Sequence, residues 1–282
     1  MIMLVGHGYI GSAFQKEIRA RGIDLVNASH EDVSTFWNAH ELLKKYRPSL
    51  VINAAAFIPT PSVQLCDIHP EETIDGNVLL PTVLCNACQD QGIPFAHIST
   101  GCLWSDGKVH SEDDIIQRSF NGHCGFYIGT KVQAEKVVSA YPKAYIWRVR
   151  LPFDENDEPR NYLRKIIDFK QVWRQKNSAC HRGDFVKACL DLVECNAPFG
   201  IYNVNNTGTL DVKHILERML QEGLIVADHE LVEKSDGQCS LCNDKLLNAG
   251  VAIRHVEDAF EDSLRNWSTR YVPPPYSLQS VQ

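Results

Sequence analysis

The feature that most constrains the fold is a glycine pattern, G-x-G-x-x-G, formed by Gly6, Gly8 and Gly11 directly after the apolar stretch I-M-L-V. A helix pattern follows the glycines and ends at Gly22. Between a strand and a helix, the first glycine allows a tight turn, the second lets the backbone approach a pyrophosphate, and the third lets the helix pack on the strand. The pattern therefore predicts a dinucleotide-binding unit, with a ligand-free glycine turn as the alternative.

Short apolar segments alternate with helix patterns through the first half of the chain. The apolar segments lie at 2–5, 23–27, 49–56, 94–100 and 144–150. Helix patterns occupy the intervals between them, including a long one at about 70–90 and another at about 128–140. Such alternation implies a parallel sheet with helices on both faces. The sequence therefore predicts an α/β fold with a doubly wound parallel sheet, joined to a smaller mixed C-terminal region.

The second half of the chain is more mixed. We expect an NAD(P)-binding Rossmann domain at 1–151, with a returning segment near 181–206 that includes an apolar strand at 200–205. A substrate-binding region is expected at 152–180 and 207–270, beginning with a polar, proline-bearing loop, and a tail at 271–282. Within that region, Asp211 and Gly223 are the predicted N-cap and stop of one helix.

Charge and hydropathy exclude several classes of partner. The net charge is −7 and no run of Lys or Arg appears, so nucleic acid is not expected as a partner. No apolar run approaches the roughly 18 residues needed to span a bilayer, so no membrane span is expected. The glycine pattern begins within the first few residues, which leaves no room for a signal peptide and predicts a cytoplasmic protein.

Ten cysteines are present, and a cytoplasmic chain of this length is expected to keep them as free thiols. Two C-x-x-C pairs, Cys85/Cys88 and Cys239/Cys242, leave a four-thiolate zinc site as an alternative. The first pair lies inside a helix pattern, where cysteines commonly serve as small buried apolar residues. We therefore expect no metal.

Chemistry is suggested by Tyr127 and Lys131 in Y-I-G-T-K. A spacing of four places both side chains on one helical face. An ammonium nearby stabilises a tyrosinate and lowers the phenol pKa from about 10. Such a phenol exchanges a proton with a carbonyl oxygen while a hydride moves at carbon. The alternative is a surface pair without a role in chemistry.

In this order along the chain, the motifs resemble the extended short-chain dehydrogenase/reductase family. N-A-A-A-F at 53–57, Asn77 in D-G-N-V-L, and Thr100 in S-T-G-C-L-W stand between the glycine pattern and Y-I-G-T-K, as in that family. The likeness spans roughly 1–260. Within the family, the chain is most similar to the nucleotide-sugar reductases of 4-keto-6-deoxy-hexoses, of the dTDP-4-dehydrorhamnose reductase type and above all the epimerase/reductases that form UDP-rhamnose.

The resemblance implies a role for Cys102. Dehydratases of the superfamily carry an acidic pair after the threonine, where this chain has Gly101 and Cys102. Simple reductases carry an aromatic residue at the cysteine's position, whereas the epimerase/reductases have cysteine. Cys102 is therefore expected to act as an epimerase acid/base, with Lys165 in R-N-Y-L-R-K-I as its partner on the other face of the sugar. A buried packing cysteine and a solvated lysine are the alternative.

The resemblance also implies binding residues. NADP(H) is favoured, because no acid stands directly at the end of the second apolar segment and Ser29 and His30 are suited to a 2′-phosphate; NAD(H) is the alternative. The expected catalytic residues are Tyr127, Lys131, Thr100, Cys102 and Lys165. The expected cofactor-binding residues are Gly6, Gly8, Tyr9, Ile10, Gly11, Asp32, Val33, Ala54, Ala55, Ala56, Asn77, Tyr127, Lys131, Arg150 and Leu151. The expected substrate-binding residues are Thr100, Gly101, Arg160 and Asn161, with phosphate contacts from Arg148, Arg150, Arg160 or Lys165.

The predicted function is NAD(P)H-dependent reduction at C4 of a nucleotide-linked 4-keto-6-deoxy-hexose, with epimerisation at C3 and C5 or at one of them. A 4-reductase with an inert Cys102 and a non-catalytic NADP-binding regulatory homologue are the alternatives. The expected partner is the nucleotide sugar. The oligomeric state is left open between a monomer and a homodimer. The segment D-G-Q-C-S-L-C-N-D-K-L at 236–246 departs from the family pattern and leaves the nucleotide base open among UDP, dTDP and GDP.

Overall fold

The computed structural model describes residues 1–226, 229–233 and 238–267. The strands in chain order are β1 (Ile2–Val5), β2 (Leu25–Ala28), β3 (Leu50–Asn53), β4 (Phe95–Thr100), β5 (Val109–His110), β6 (Ala144–Val149), β7 (Pro152–Phe153), β8 (Gln171–Arg174), β9 (Lys176–Asn177), β10 (Cys180–His181), β11 (Gly200–Asn203), β12 (Leu210–Asp211), β13 (Glu230–Glu233) and β14 (Ser240–Leu241). The helices are α1 (Tyr9–Ala20), α2 (Phe36–Tyr46), α3 (Pro70–Ile74), α4 (Leu80–Gln91), α5 (Gly125–Ser139), α6 (Tyr162–Asp168), α7 (Arg182–Glu194), α8 (Val212–Gln221), α9 (Asp244–Asn248) and α10 (Val256–Arg265).

A parallel sheet organises the fold. Six described strands pair in the order β11-β6-β4-β3-β1-β2, and every pairing in this sheet is parallel. β11 adds to the edge beside β6, so the returning apolar strand extends the main sheet. The predicted doubly wound α/β fold is confirmed.

Helices cover both faces of the sheet, so the inner strands β1, β3 and β4 are largely buried on both sides. On one face, Phe14 of α1 stacks on Trp147 of β6 and meets Phe185 of α7 edge-on. On the other face, Leu43 of α2 and Leu84 of α4 are fully buried against β1 and β3. A third apolar cluster joins α6, α8 and α10 in the C-terminal region.

The helical segment predicted at about 70–90 is interrupted. A π-helical turn, Asp75–Leu79, separates α3 from α4 and contains the buried Asn77. π turns are rare and appear mostly as single turns inside helices. Here the turn directs the amide of Asn77 toward the loop after β3, where it accepts from the Phe57 N–H and donates to the Phe57 carbonyl.

Other local predictions can be compared directly. Asp211 caps α8 by accepting from the Lys213 N–H, and Gly223 follows the helix with a φ of +71°, as predicted. The loop predicted from residue 152 begins instead with β7, which pairs with β10. The expected tail at 271–282 lies outside the described residues. Among the helices that the structure describes, none is long and apolar enough to cross a bilayer.

The two C-x-x-C pairs lie in different parts of the molecule. Cys85 and Cys88 are buried in the apolar cluster of α2 and α4. Cys239 is buried in a separate cluster around Trp104. The four thiols therefore do not converge, because the core packing of α4 has separated the pairs.

Candidate active site

A cavity of about 260 Å³ opens at the carboxyl edge of the sheet. This edge is where ligands bind in open α/β sheets. The turn after β1, the loop after β3, the ends of β4 and β6, the first half of α5 and the segment 160–165 all contribute to its wall. The glycine turn and the Y-x-x-x-K helix therefore face one common space.

The glycine turn is sterically obligatory. Gly6 has a φ of +94°, and a Cβ there would lie 2.5 Å from the Ala55 nitrogen. A Cβ on Gly11 would lie 2.1 Å from the Gly6 carbonyl oxygen, so α1 begins in direct contact with the turn. The guanidinium of Arg160 lies over the turn, with Nη1 3.5 Å from where a Cβ of Gly8 would stand. A glycine cradle, a helix N-terminus and a cation together fit a pyrophosphate.

Tyr127 lies in the cavity beside Thr100 and Cys102. Thr100 accepts from the Cys102 N–H at 3.2 Å. Burial, and then the Cys102 thiol, raise the pKa of Tyr127, while the nearby Thr100 hydroxyl lowers it. The balance is a raised phenol pKa, so Tyr127 is held as the protonated acid. The expectation that Lys131 lowers this pKa stays a prediction.

The Lys131 amine is held by contacts of its own. Its Nζ donates to the Ile98 carbonyl at 2.7 Å and lies 3.2 Å from Nε2 of His97. The side chain is 2% exposed, and burial lowers the Lys131 pKa to about 8 despite the opposing effect of Glu135. The Lys131 amine is therefore held against β4, and the residue also lines the cavity.

Cys102 and Lys165 both line the same cavity, as the epimerase expectation requires. Burial, and then the nearby Arg160 guanidinium, lower the pKa of Lys165, whereas Cys102 opposes this effect. A lysine with a lowered pKa is suited to proton exchange near neutral pH. The structure thus brings together all five residues expected to be catalytic: Thr100, Cys102, Tyr127, Lys131 and Lys165.

Two residues that were expected to bind a ligand form hydrogen bonds with the protein itself. Asn161 is fully buried, accepts from the Leu163 N–H as the N-cap of α6, and donates to Asp154 and to the Asn156 carbonyl. Its side chain therefore shapes the loop, and its expected contact with substrate stays a prediction. Asn77 is likewise hydrogen-bonded to the Phe57 backbone and is not among the residues that line the cavity; its expected contact with the cofactor stays a prediction.

Arg148 of β6 and Arg150, just after β6, do not line the cavity. Arg148 is 1% exposed and forms a bidentate ion pair with the buried Glu135. Arg150 donates to the Gly101 carbonyl and to Asn177. Neither guanidinium lines the cavity, and Gly101 packs against Leu241. The expected phosphate contacts of the arginines and the substrate contact of Gly101 stay predictions. Buried arginines pair internally because an unpaired buried charge is costly.

The remaining expected cofactor residues divide by exposure. Those that line the cavity are Gly8, Tyr9, Ile10, Ala54, Ala55, Ala56 and Leu151. Val33 is fully buried in the core, so only its backbone is available, while the exposed Asp32 accepts from the Ser29 N–H. The Tyr9 phenol donates to Asp154, which fixes the ring at the start of α1.

Two polar residues of the cavity were absent from the prediction. Ser99 is 3% exposed, lines the cavity and has a buried hydroxyl with no hydrogen-bond partner among the described residues. Tyr162 lines the opposite wall, and burial raises its pKa to about 12. The sequence could have indicated Ser99, because it directly precedes Thr100 at a strand end. No sequence pattern indicates Tyr162, because the path of the loop that brings it back to the cavity is not a local feature.

Residues 2–152 match the NAD dependent epimerase/dehydratase family. A curated relative from Arabidopsis thaliana, the trifunctional UDP-glucose 4,6-dehydratase/UDP-4-keto-6-deoxy-D-glucose 3,5-epimerase/UDP-4-keto-L-rhamnose-reductase RHM3, is 28% identical over 182 residues, which is 62% of this chain and 27% of the relative. The match thus spans about a quarter of that relative's length.

Solved structures share the fold over nearly the whole chain. The L780 UDP-rhamnose synthase from Acanthamoeba polyphaga mimivirus has a TM-score of 0.82 at 16% identity, covering 94% of this chain and 99% of that one. A dTDP-4-dehydrorhamnose reductase from Clostridium acetobutylicum has a TM-score of 0.76 at 20% identity, covering 94% of this chain and 97% of the other.

Proposed function

Because the chain belongs to the NAD dependent epimerase/dehydratase family, we propose that it reduces C4 of a nucleotide-linked 4-keto-6-deoxy-hexose with NAD(P)H. NADPH is the favoured reductant. We propose further that it epimerises the sugar at C3 and C5, or at one of them, before reduction. The substrate class is supported by the relatives, one of which is named as a 3,5-epimerase and reductase of UDP-4-keto sugars.

One observation carries the proposal: the Tyr127 phenol, whose pKa is raised by burial, shares the cavity with the glycine turn. Bound NAD(P)H supplies a hydride to C4 of the sugar. Tyr127 gives its proton to the developing O4 alkoxide, and Thr100 holds the same oxygen through its hydroxyl. The raised phenol pKa suits this direction, since ketone reduction needs the acid form of the tyrosine.

The glycine turn and Arg160 are proposed to hold the cofactor pyrophosphate. Arg160 Nη2 donates to the Ile58 carbonyl at 3.2 Å, which anchors the guanidinium over the turn. We therefore move Arg160 from the substrate toward the cofactor. Lys131 faces the cavity near the end of β4 and is proposed to bind the nicotinamide ribose.

Epimerisation is assigned to Cys102 and Lys165. The 4-keto group acidifies the protons on C3 and C5, so a base on one face removes a proton and leaves an enolate. An acid on the other face then delivers a proton and inverts the centre. Tyr127 and Thr100 are placed to stabilise the enolate oxygen at O4. The proton removed goes to one of the two residues, Cys102 or Lys165, and the proton added comes from the other.

The test is reduction in heavy water. We expect the protein to oxidise NADPH with UDP-4-keto-6-deoxy-glucose, and the product to carry deuterium at C3, C5 or both. Substrate that has already been epimerised is the control, since it should be reduced without needing that exchange. Reduction without deuterium at either carbon would leave a simple 4-reductase. Absence of cofactor oxidation with UDP-, dTDP- and GDP-linked 4-keto sugars would contradict the proposal.

A further inference from the structure

Tyr162 of α6 lines the cavity, and its phenol forms no hydrogen bond with any residue that the structure describes. Tyrosines of the core differ in this respect. Tyr141, Tyr145 and Tyr202 donate to backbone carbonyls at 2.9, 2.5 and 2.7 Å. A tyrosine with a packed ring ordinarily finds a partner for its hydroxyl. The phenol of Tyr162 therefore indicates a partner that binds in the cavity.

The ring of Tyr162 is held by the C-terminal core. It packs against the apolar cluster of α6, α8 and α10, in which its neighbours Leu163 and Ile166 are buried. The side chain as a whole is half-buried, so the cluster holds the ring while part of the residue stays open to the cavity. The ring is thus in place before a ligand binds, which reduces the entropy lost on contact.

The phenol is uncharged at neutral pH. Burial raises the pKa of Tyr162 to about 12, although the nearby Arg150 guanidinium lowers it. An uncharged phenol both donates and accepts, as does a sugar hydroxyl, whereas a phosphate only accepts and is bound best by a cation. The cavity offers Lys131, Arg160 and Lys165 as cations. The Tyr162 phenol therefore fits the sugar ring of a nucleotide sugar better than its phosphates.

Tyr162 lies on the side of the cavity that carries the proposed epimerase lysine. A spacing of three puts Tyr162 and Lys165 on one face of α6, and both residues line the cavity. Lys165 is close enough to Cys102 for the thiol to raise the lysine pKa, against the larger effect of burial. The space between Lys165 and Cys102 is the one assigned to the sugar, and Tyr162 borders it.

We propose that Tyr162 is a specificity-determining residue whose phenol hydrogen-bonds a hydroxyl group of the sugar ring. The contact holds the ring against α6, with Lys165 on that side and Cys102 on the other. The inference deepens the proposed function, because the identity of the ligand as a nucleotide-linked hexose rests on it. The contact is made to the sugar, so binding of the free nucleotide does not depend on it.

Tyr162→Phe removes the hydroxyl and keeps the ring. The test is calorimetric titration of the full chain with UDP-rhamnose, dTDP-rhamnose and GDP-fucose, and with UDP, dTDP and GDP alone. For the nucleotide sugar that the wild-type protein binds, we expect Tyr162→Phe to weaken binding about tenfold, the size of one hydrogen bond. Binding of the matching free nucleotide should change by less than about twofold.

Three results of this titration would overturn the assignment. The first is an unchanged affinity of Tyr162→Phe for the nucleotide sugar. The second is an equal loss of affinity for the nucleotide sugar and the free nucleotide, which would put the contact on the nucleotide. The third is a wild-type protein that binds none of the three nucleotide sugars.

Tyr202→Phe is the matched control. Tyr202 is 1% exposed, donates to the Pro198 carbonyl and does not line the cavity. Its variant should lower the urea midpoint of unfolding, because a buried hydrogen bond is lost, and should leave sugar binding unchanged. Tyr162→Phe should not lower the midpoint. A midpoint that falls as far in Tyr162→Phe as in Tyr202→Phe would show that the phenol serves the fold, and the assignment would be wrong.

Neither measurement requires turnover. If the affinities change as expected while no 4-keto sugar is reduced with NADPH, the proposed function fails and the sugar contact of Tyr162 stands. If a 4-keto sugar is reduced while Tyr162→Phe binds the nucleotide sugar as tightly as the wild-type protein does, the proposed function stands and the sugar contact fails.

Discussion

At the scale of single residues, Thr100 links the two proposed chemistries. Its hydroxyl accepts from the Cys102 N–H and lines the same cavity as the Tyr127 phenol, so the proton donor and the proposed epimerase thiol meet at one residue. The nearby Cys102 thiol raises the pKa of the Tyr127 phenol. The raised pKa suits a reductase, which needs Tyr127 protonated.

Replacing Tyr127 with Phe removes the proton donor and keeps the ring. We expect the rate of C4 reduction to fall about 10²- to 10⁴-fold, the range for losing a general acid. NADPH binding should be preserved, because the glycine turn and Arg160 are untouched. Cofactor oxidation measures the first effect and fluorescence titration of NADPH the second. A variant that still reduces at the wild-type rate would exclude Tyr127 as the acid.

Replacing Cys102 with Ser tests the epimerase role. A serine hydroxyl is a far weaker acid than a thiol, so deuterium exchange at C3 or C5 should fall at least about 10²-fold. Reduction of substrate that is already epimerised should continue. Cys124→Ser is the matched control, since Cys124 packs in the same apolar cluster but does not line the cavity. Normal exchange in Cys102→Ser would assign the cysteine to packing.

At the scale of elements, the π turn between α3 and α4 anchors one wall of the cavity. Its Asn77 satisfies both backbone groups of Phe57, in the loop whose neighbours Ala55 and Ala56 line the cavity. A Cβ on Gly76 would lie 2.9 Å from the Phe57 nitrogen, so loop and turn are in direct contact. The turn therefore fixes the loop path beside the glycine cradle.

Asn77→Ala removes two hydrogen bonds from a buried contact. We expect the free energy of unfolding to fall by about 1–3 kcal/mol, because Phe57 loses its partners. Urea denaturation measures this loss. NADPH affinity should weaken while the pH profile of kcat keeps its shape, because the residue supports a loop and moves no proton. A displaced pH profile with unchanged stability would instead indicate a proton relay through Asn77.

At the scale of the whole molecule, a network at the start of α7 ties the main sheet to the C-terminal region. Asp184 accepts from Asn206 at 2.7 Å and from Arg254 at 2.6 Å, and pairs with His181. Burial raises the Asp184 pKa, but the hydrogen bonds from His181, Arg254 and Asn206 outweigh it and bring the value to about 2. The charged carboxylate is thus favoured by the folded state.

This shift predicts acid sensitivity. A carboxyl whose folded pKa is depressed contributes stability above its unfolded pKa and loses it as the pH falls toward the folded value. For Asp184 the window lies between pH values of about 4 and about 2, and the contribution near pH 7 is about 2 kcal/mol. Asp184→Asn should lose about this amount at pH 7, and the difference from wild type should shrink below about pH 4.

Denaturant unfolding at several pH values measures the effect of Asp184→Asn. Asp191→Asn on the same helix is the control, because Asp191 forms a half-exposed pair with Arg21 and should change stability by less than about 1 kcal/mol. Equal losses in both variants, or a loss at Asp184 that does not depend on pH, would show that the network does not act through charge.

The sequence by itself determined the sheet, the glycine turn and the shared helical face of Tyr127 and Lys131. Each follows from local physics: strand and helix periods, the space that Gly6 and Gly11 must leave empty, and a spacing of four on a helix. Cys102 and Lys165 were also predicted to share the site, although only the family resemblance linked these two residues.

Only the tertiary structure decided which polar groups face the ligand and which face the protein. Asn161 and Arg150 had residue types suited to binding, yet the fold of its own loop occupies Asn161 and the distant Asn177 occupies Arg150. His97 carried no local signal, because its partners Asn53 and Lys131 are 44 and 34 residues away in sequence. A buried hydrogen-bond partner is assigned by packing between elements, which no local period or spacing encodes.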